Sequence, residues 1–221
     1  MIEFKNVTAV QDSKKLLDGM CFKLYNGKIY GILADKELSH EIAMLLTGAK
    51  TPAEGSVQIN GFDLWREPLR AKSYLAFIPS ETALYLDITP LEYLLFCIDV
   101  RQIDYEHGIR RIGKALSSVG LSHKRNVLIK TLSTYEKKCL TLAQALLSSA
   151  DVLVFDEPFA DLGATDAEAF SELIEAVAPE KTLFLCASEP KYFKRLCAVT
   201  YRATASELSD IESNSKKEDE T

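Results

Sequence analysis

An α/β fold built on a parallel sheet is the architecture that this 221-residue sequence predicts. Two runs, DVLVFDEP (151–158) and KTLFLCAS (181–188), are continuously apolar, the pattern of strands buried on both faces. The amphipathic stretch FSELIEAVA (170–178) lies between them, so the unit reads β-α-β. A β-rich start and a long helical stretch precede it.

Taken in order, residues 3–10 and 20–34 read as strands. In the second, MCFKLYNGKIYGILA, Asn26-Gly27 sits between two apolar stretches and predicts a hairpin. GIL then enters an irregular polar segment. EIAMLLTG follows with helical spacing, and Gly48 marks its C-terminus. TPAEG is a turn, and SVQINGFDL reads as a hairpin turning at Asn60-Gly61. From about Thr82 to Ser149 the pattern is helical. TPLEYLLFCIDV opens with a Thr-Pro helix entry, EHGIRRIGKALSSVGLS is amphipathic, and TLSTYEKKCLTLAQALLSSA is a long helix. The end, SELSDIESNSKKEDET, reads as a frayed helix passing into disorder.

Composition narrows the classes. Hydrophobic residues make up 47% and charged residues 26%, which excludes a fully disordered chain and a disulfide scaffold. The net charge is 26 − 32 = −6. The stretch from Ala203 to Thr221 holds six acids and two lysines and supplies −4 of it, leaving −2 for the body. A nucleic-acid binder with a basic surface is not expected. Cys21, Cys97, Cys139, Cys186 and Cys197 are scattered without CxxC spacing, which reads as reduced core thiols in a cytosolic protein. Neither zinc-ligand spacing nor a signal peptide is visible, and no apolar run is long enough to span a bilayer.

One stretch carries a resemblance. LSTYEKKCLTLAQALLSSADVLVFDEP is similar to the run from signature helix to Walker B strand in the ATP-binding cassette (ABC) ATPases. There a Leu-Ser-Gly-Gly-Gln start leads to an Ala-x-Ala-Leu helix and four apolar residues before Asp-Glu-Pro. LLDGMCFKLYNGKIYGIL resembles the strands before the Walker A loop, AFIPSETALYLDITPLEYLLF the Q-loop region, and KTLFLCASEPKYFKRLCA the H-loop strand. The match covers about residues 2–202. It implies a P-loop NTPase (RecA-like) α/β core, an antiparallel β subdomain, and an inserted helical subdomain at about 82–147. Residues 203–221 are left as an acidic, disordered tail. It also implies Mg-ATP as cofactor, membrane permease subunits and a second ABC ATPase subunit as partners, and a place on the inner, cytoplasmic face of a membrane. No nucleic acid is implied.

Against that family the active positions are altered. A P-loop, G-x-x-x-x-G-K-[ST], curls backbone N–H groups around phosphates, adds a Lys, and holds magnesium through a hydroxyl. The matching segment, ADKELSHEI (34–42), has no glycine. Counted from the preceding strand, His40 takes the Lys position and Glu41 the hydroxyl position; counted back from LLTG, Ser39 and His40 do. The segment reads either as a relaxed surface loop or as a repurposed site using His40. A charge-assisted hydrogen bond contributes about 1.5–3 kcal/mol. Micromolar binding needs about 8 kcal/mol, so losing the Lys and the glycine nest moves affinity towards millimolar.

Walker B survives: Asp156 matches the magnesium-coordinating Asp and Glu157 the catalytic carboxylate that polarises water. The rival reading keeps both as structural hydrogen-bond acceptors. Elsewhere Ser80 stands at the Q-loop Gln, Ser188 at the switch His, and Gly163 at the D-loop Asp. Val10 or Gln11 replaces the adenine-stacking aromatic. The signature keeps Ser133 but puts Thr134 and Tyr135 where two glycines belong, and Tyr135 is expected to fill the space a partner's phosphate would need. Five altered motifs on an intact scaffold imply a degenerate ATP-binding subunit, a pseudo-ATPase coupled to a permease. Two alternatives stand beside it: an active ATPase with an altered loop and Glu157 as catalyst, and a non-transport interaction scaffold. His107 and His123 read as surface residues. Tyr85, Tyr93 and Phe96 read as packing or as a groove for a transporter's coupling helix.

Overall fold

The structure, a computed structural model, describes residues 1–81, 83–179 and 181–213. Two sheets share the chain. The first is antiparallel, ordered β2-β1-β4-β5, with β1 Ile2–Gln11, β2 Lys14–Leu24, β4 Glu54–Ile59 and β5 Phe62–Asp63. The second is ordered β10-β9-β3-β8-β7-β6, with β3 Ile29–Leu33, β6 Leu75–Ile78, β7 Val152–Asp156, β8 Thr182–Ala187, β9 Val199–Ala203 and β10 Leu208–Ser213. β6, β7, β8, β3 and β9 run parallel, and β10 closes one edge antiparallel.

The apolar runs are explained by this arrangement. In β7, Val152 and Val154 point to one core cluster while Leu153 and Phe155 point to the other. β8 alternates likewise, Phe184 and Cys186 against Leu183 and Leu185. One face meets helix α1 (Lys36–Leu46) and the antiparallel sheet. The other meets α3 (Pro90–Val100), α4 (Tyr105–Ser118), α5 (Thr134–Leu146) and α6 (Ala164–Val177). A short α2 (Pro68–Ser73) precedes β6, and α7 (Phe193–Leu196) precedes β9. Helices α3, α4 and α5 fall within the stretch of about 82–147 expected to be helical.

Three local expectations are corrected. Asn26-Gly27 does turn the chain, with Gly27 at φ +82°, but β2 and β3 enter different sheets and form no hairpin. The hairpin lies between β1 and β2 at Asp12-Ser13, both at positive φ, the two-residue geometry that suits strand twist. Asn60-Gly61 behaves as expected, at φ +50° and +87° between β4 and β5. The segment 36–41 is no surface loop: Asp35 accepts from Leu38 N (3.0 Å) and starts α1 there. SELSDIES is not helical, because β10 pairs with the otherwise open edge of β9 and carries the sheet past residue 203. Residues 214–221 lie outside the described residues.

Four of the five thiols, at Cys97, Cys139, Cys186 and Cys197, are buried as expected; Cys21 is exposed. Burial pushes Cys139 and Cys197 up to about 12, and Cys97, Cys186, Tyr93 and Tyr135 above their ordinary ranges. An acid whose folded pKa is raised gives stability that is full below the unfolded value and lost as pH climbs towards the folded one. Buried Lys138 and the N-terminal ammonium, both pulled down by desolvation, work in the opposite sense, two groups against eight once Tyr30 and Tyr201, also raised by burial, are added. Urea midpoints are expected to hold level from neutrality to about pH 8.5 and fall above it. Midpoints that rise across the alkaline range would contradict this.

Candidate functional site

Five of the predicted site residues converge where β3, β7 and β8 end. β3 is followed by only Ala34 and Asp35 before α1 begins. Glu157 follows β7 directly, in the left-handed region at φ +43°, its N–H bonded to Cys186 O (2.8 Å). Its Oε1 accepts from Ser39 Oγ (3.1 Å) and from Ser188 N (2.8 Å). His40 Nδ1 donates to Asp156 Oδ2 (2.7 Å), the only sense open to an ionised carboxylate. Asp156 is 1% exposed and Glu157 8%.

The two registers left open by the sequence separate here. Ser39 and His40 face the Walker B carboxylates, which is the register counted back from LLTG. Glu41 turns away, buried, to meet Lys50 Nζ at 2.6 Å. Ser80 reaches the group only indirectly: its carbonyl accepts from Lys138 Nζ (3.2 Å). Ser133 does not join it. Its Oγ caps α5 by accepting from Glu136 N (3.2 Å), while Glu136 Oε2 accepts from Ser133 N (2.9 Å) and its carboxylate pairs with Lys124. Tyr135 does not project into the space either. Its ring turns inward, half-buried, edge-on to Phe170 at 6.5 Å. Val10 is exposed, and Gln11 Oε1 accepts from Lys50 (3.4 Å).

Lys138 was not legible as a site residue. It lies on α5, buried, in the field of Asp161, Asp156 and Glu157. The only sequence signal is a lysine on the apolar face of a helix, which usually means a snorkelling stem. Asp35 was legible: an Asp before Lys-Glu-Leu is an N-cap pattern.

The donor set does not match what a triphosphate requires. The loop is two residues long, and Asp35 places a carboxylate on the helix end where phosphate N–H donors would be. A cavity of about 310 Å³ opens beside Glu157, lined among others by Lys36, Asp161, Ser188 and Glu189, three carboxylates against one ammonium. Asp156 Oδ1 is buried without a hydrogen-bond partner among the described residues, as a magnesium ligand would be. Its other oxygen is taken by His40, and no group of three or more His, Cys, Asp or Glu placed to hold a metal occurs among the described residues.

A parallel sheet in which β7 ends at Asp156, with Glu157 next, facing the helix that follows β3, defines an α/β domain of the P-loop NTPase class. A family model described as ABC transporter matches residues 41–160, more than half of the chain, and the chain belongs to that family. It is 24% identical over 178 residues to the Bacillus subtilis linearmycin resistance ATP-binding protein LnrL, covering 80% of this chain and 56% of that protein. It is 29% identical over 177 residues to human ATP-binding cassette sub-family A member 2, covering 79% of this chain and 7% of that protein. The chain thus spans about half of the first relative and under a tenth of the second. Among solved structures, cbiO1 from Clostridium perfringens, part of the ABC transporter complex cbiONQ, superposes with a TM-score of 0.83 at 14% identity. That match covers 94% of this chain and 86% of the other.

Proposed function

We propose that this chain is a degenerate ABC subunit that transmits conformational coupling without turning over ATP. The observation that carries the reading is that both helix ends which would receive phosphate are closed by the chain's own carboxylates. Asp35 caps α1 and Glu136 caps α5, while Glu157 is held by Ser39 and Ser188. A carboxylate already bonded to neighbouring donors has less freedom to polarise water. The chain pairs with a competent ATPase subunit, since a homodimer would bring two altered sites together. It lies on the cytoplasmic face of a membrane; no helix among the described residues is long and apolar enough to cross one.

Permease docking is supported by a cleft of about 660 Å³ between the end of β6 and α3, lined in part by Phe77, Pro79, Leu84, Tyr93 and Arg101. Tyr93 is buried, its hydroxyl donating to Gln144 Oε1 (2.9 Å), so it packs. Tyr85 and Phe96 are exposed, edge-to-face at 5.8 Å, and present an apolar surface to a partner.

Calorimetric titration of the chain with magnesium-ATP tests this reading. No heat is expected up to millimolar ATP, and heat is expected once the competent partner subunit is present. Micromolar binding by the isolated chain would overturn it. The rival, hydrolysis through an altered loop, is favoured by the free Asp156 Oδ1. It requires any turnover to vanish in Glu157→Gln; turnover unaffected by that change is contamination.

A further inference from the structure

The helical subdomain carries a second, separate surface. At Gly108, where a Cβ would come within 2.4 Å of Ile98 Cδ1, α4 crosses close to α3. Further along, at Gly113, a Cβ would meet nothing within 4 Å, and the two helices leave a recess between them. The recess holds about 250 Å³ and is lined by Leu91, Ile109, Ile112, Gly113, Leu116, Ser122 and Arg125. Leu91 lies two residues before Tyr93 on α3, hence on the opposite flank from the cleft described above.

Charge around the recess runs against the rest of the molecule. Residues 90–125, which include both helices, contain Arg101, Arg110, Arg111, Lys114, Lys124 and Arg125 against Glu92, Asp99, Asp104 and Glu106, which is 6 − 4 = +2 in a chain of −6. Arg111 is engaged with Leu147 O (3.1 Å), and Lys124 with Glu136. Arg110, Lys114 and Arg125 are exposed and make no ion pair among the described residues.

We propose that the α3–α4 groove docks an acidic amphipathic segment of a partner protein. Its aliphatic side chains enter the recess, and its carboxylates meet Arg125, Arg110 and Lys114. A bilayer fits less well. Ile112 and Leu116, the apolar floor, are each 2% exposed; of the lining aliphatic side chains Ile109 alone, at 40%, is exposed, one anchor where insertion into lipid needs several beside the cations. The groove shares no residue with the nucleotide position, so the inference does not depend on whether ATP binds.

The test uses the full chain and a fluorescent amphipathic peptide with leucines at i, i+3, i+4 and i+7 and glutamates elsewhere. A twin carries lysine for every glutamate. The glutamate peptide is expected to bind and the lysine twin not to. Gly113→Trp, which fills the recess, and Arg125→Glu, which reverses a rim charge on the surface, are each expected to weaken binding by about tenfold or more with unchanged thermal melting. No binding of the glutamate peptide, equal binding of the twin, or wild-type affinity in both variants overturns the proposal. So does binding to phosphatidylserine vesicles that persists in Gly113→Trp, which would make the surface a lipid site.

Discussion

Glu157→Ala is expected to lower the unfolding free energy by about 2–3 kcal/mol, because an ionised acceptor of two hydrogen bonds disappears. Ser188 N and Ser39 Oγ both lose their carboxylate partner, and Ser39, on α1, is fully buried. Ser39 Oγ keeps only Lys36 O, at 3.2 Å. The backbone contributes little to the difference, since alanine carries the same Cβ at φ +43°. Glu157→Gln retains a carbonyl acceptor and should lose less, about 1 kcal/mol. A residue retained for catalysis behaves the other way: removing it leaves stability unchanged or raised while turnover is lost. Chemical denaturation of the two variants therefore separates a structural carboxylate from a catalytic one. Unchanged stability in Glu157→Ala would return Glu157 to catalysis.

Gly55→Ala should be as damaging or worse, at about 3 kcal/mol or more. Gly55 sits in β4 opposite the irregularity in β1 between Lys5 and Thr8, at φ +84°. A Cβ there would lie 2.2 Å from Asn6 O and 2.4 Å from Lys5 O, both backbone atoms that no rotamer change can move. Relief requires displacing β1, whose Phe4 and Val7 pack in the same core as α1, and so disturbs the helix that carries Ser39 and His40. Two other glycines grade the effect. Gly61→Ala has positive φ but open space and should cost about 1 kcal/mol. Gly163→Ala has neither obstacle and should be close to neutral. If all three substitutions cost alike in urea denaturation, close backbone approach is not what distinguishes Gly55.

The sequence by itself determined the central architecture and the family. A strand covered on both faces must be apolar at every position, so VLVFD and TLFLCA announced the parallel sheet without further context. The motif order pointed to Asp156, Glu157 and Ser188, which the fold brings together with Ser39 and His40, and to Ser80 and Ser133, which stand apart from them. Local chemistry also sufficed where a turn demands one backbone geometry, as at Asn60-Gly61. Tertiary structure decided the rest. Sheet membership separated β2 from β3 across a turn that locally suits a hairpin, because pairing partners come from distant sequence. The open edge of β9 drew Leu208–Ser213 into a strand against its apparent helical bias. At the site, the sequence showed which phosphate-binding residues were missing but not what became of their neighbours. That Glu157 bridges Ser39 and Ser188, that His40 meets Asp156, and that Lys138 lies buried in the field of Asp161, Asp156 and Glu157 depend on residues far apart in the sequence. Only folding brings such groups within hydrogen-bond distance, and only their geometry shows whether a carboxylate is free to act or already bound.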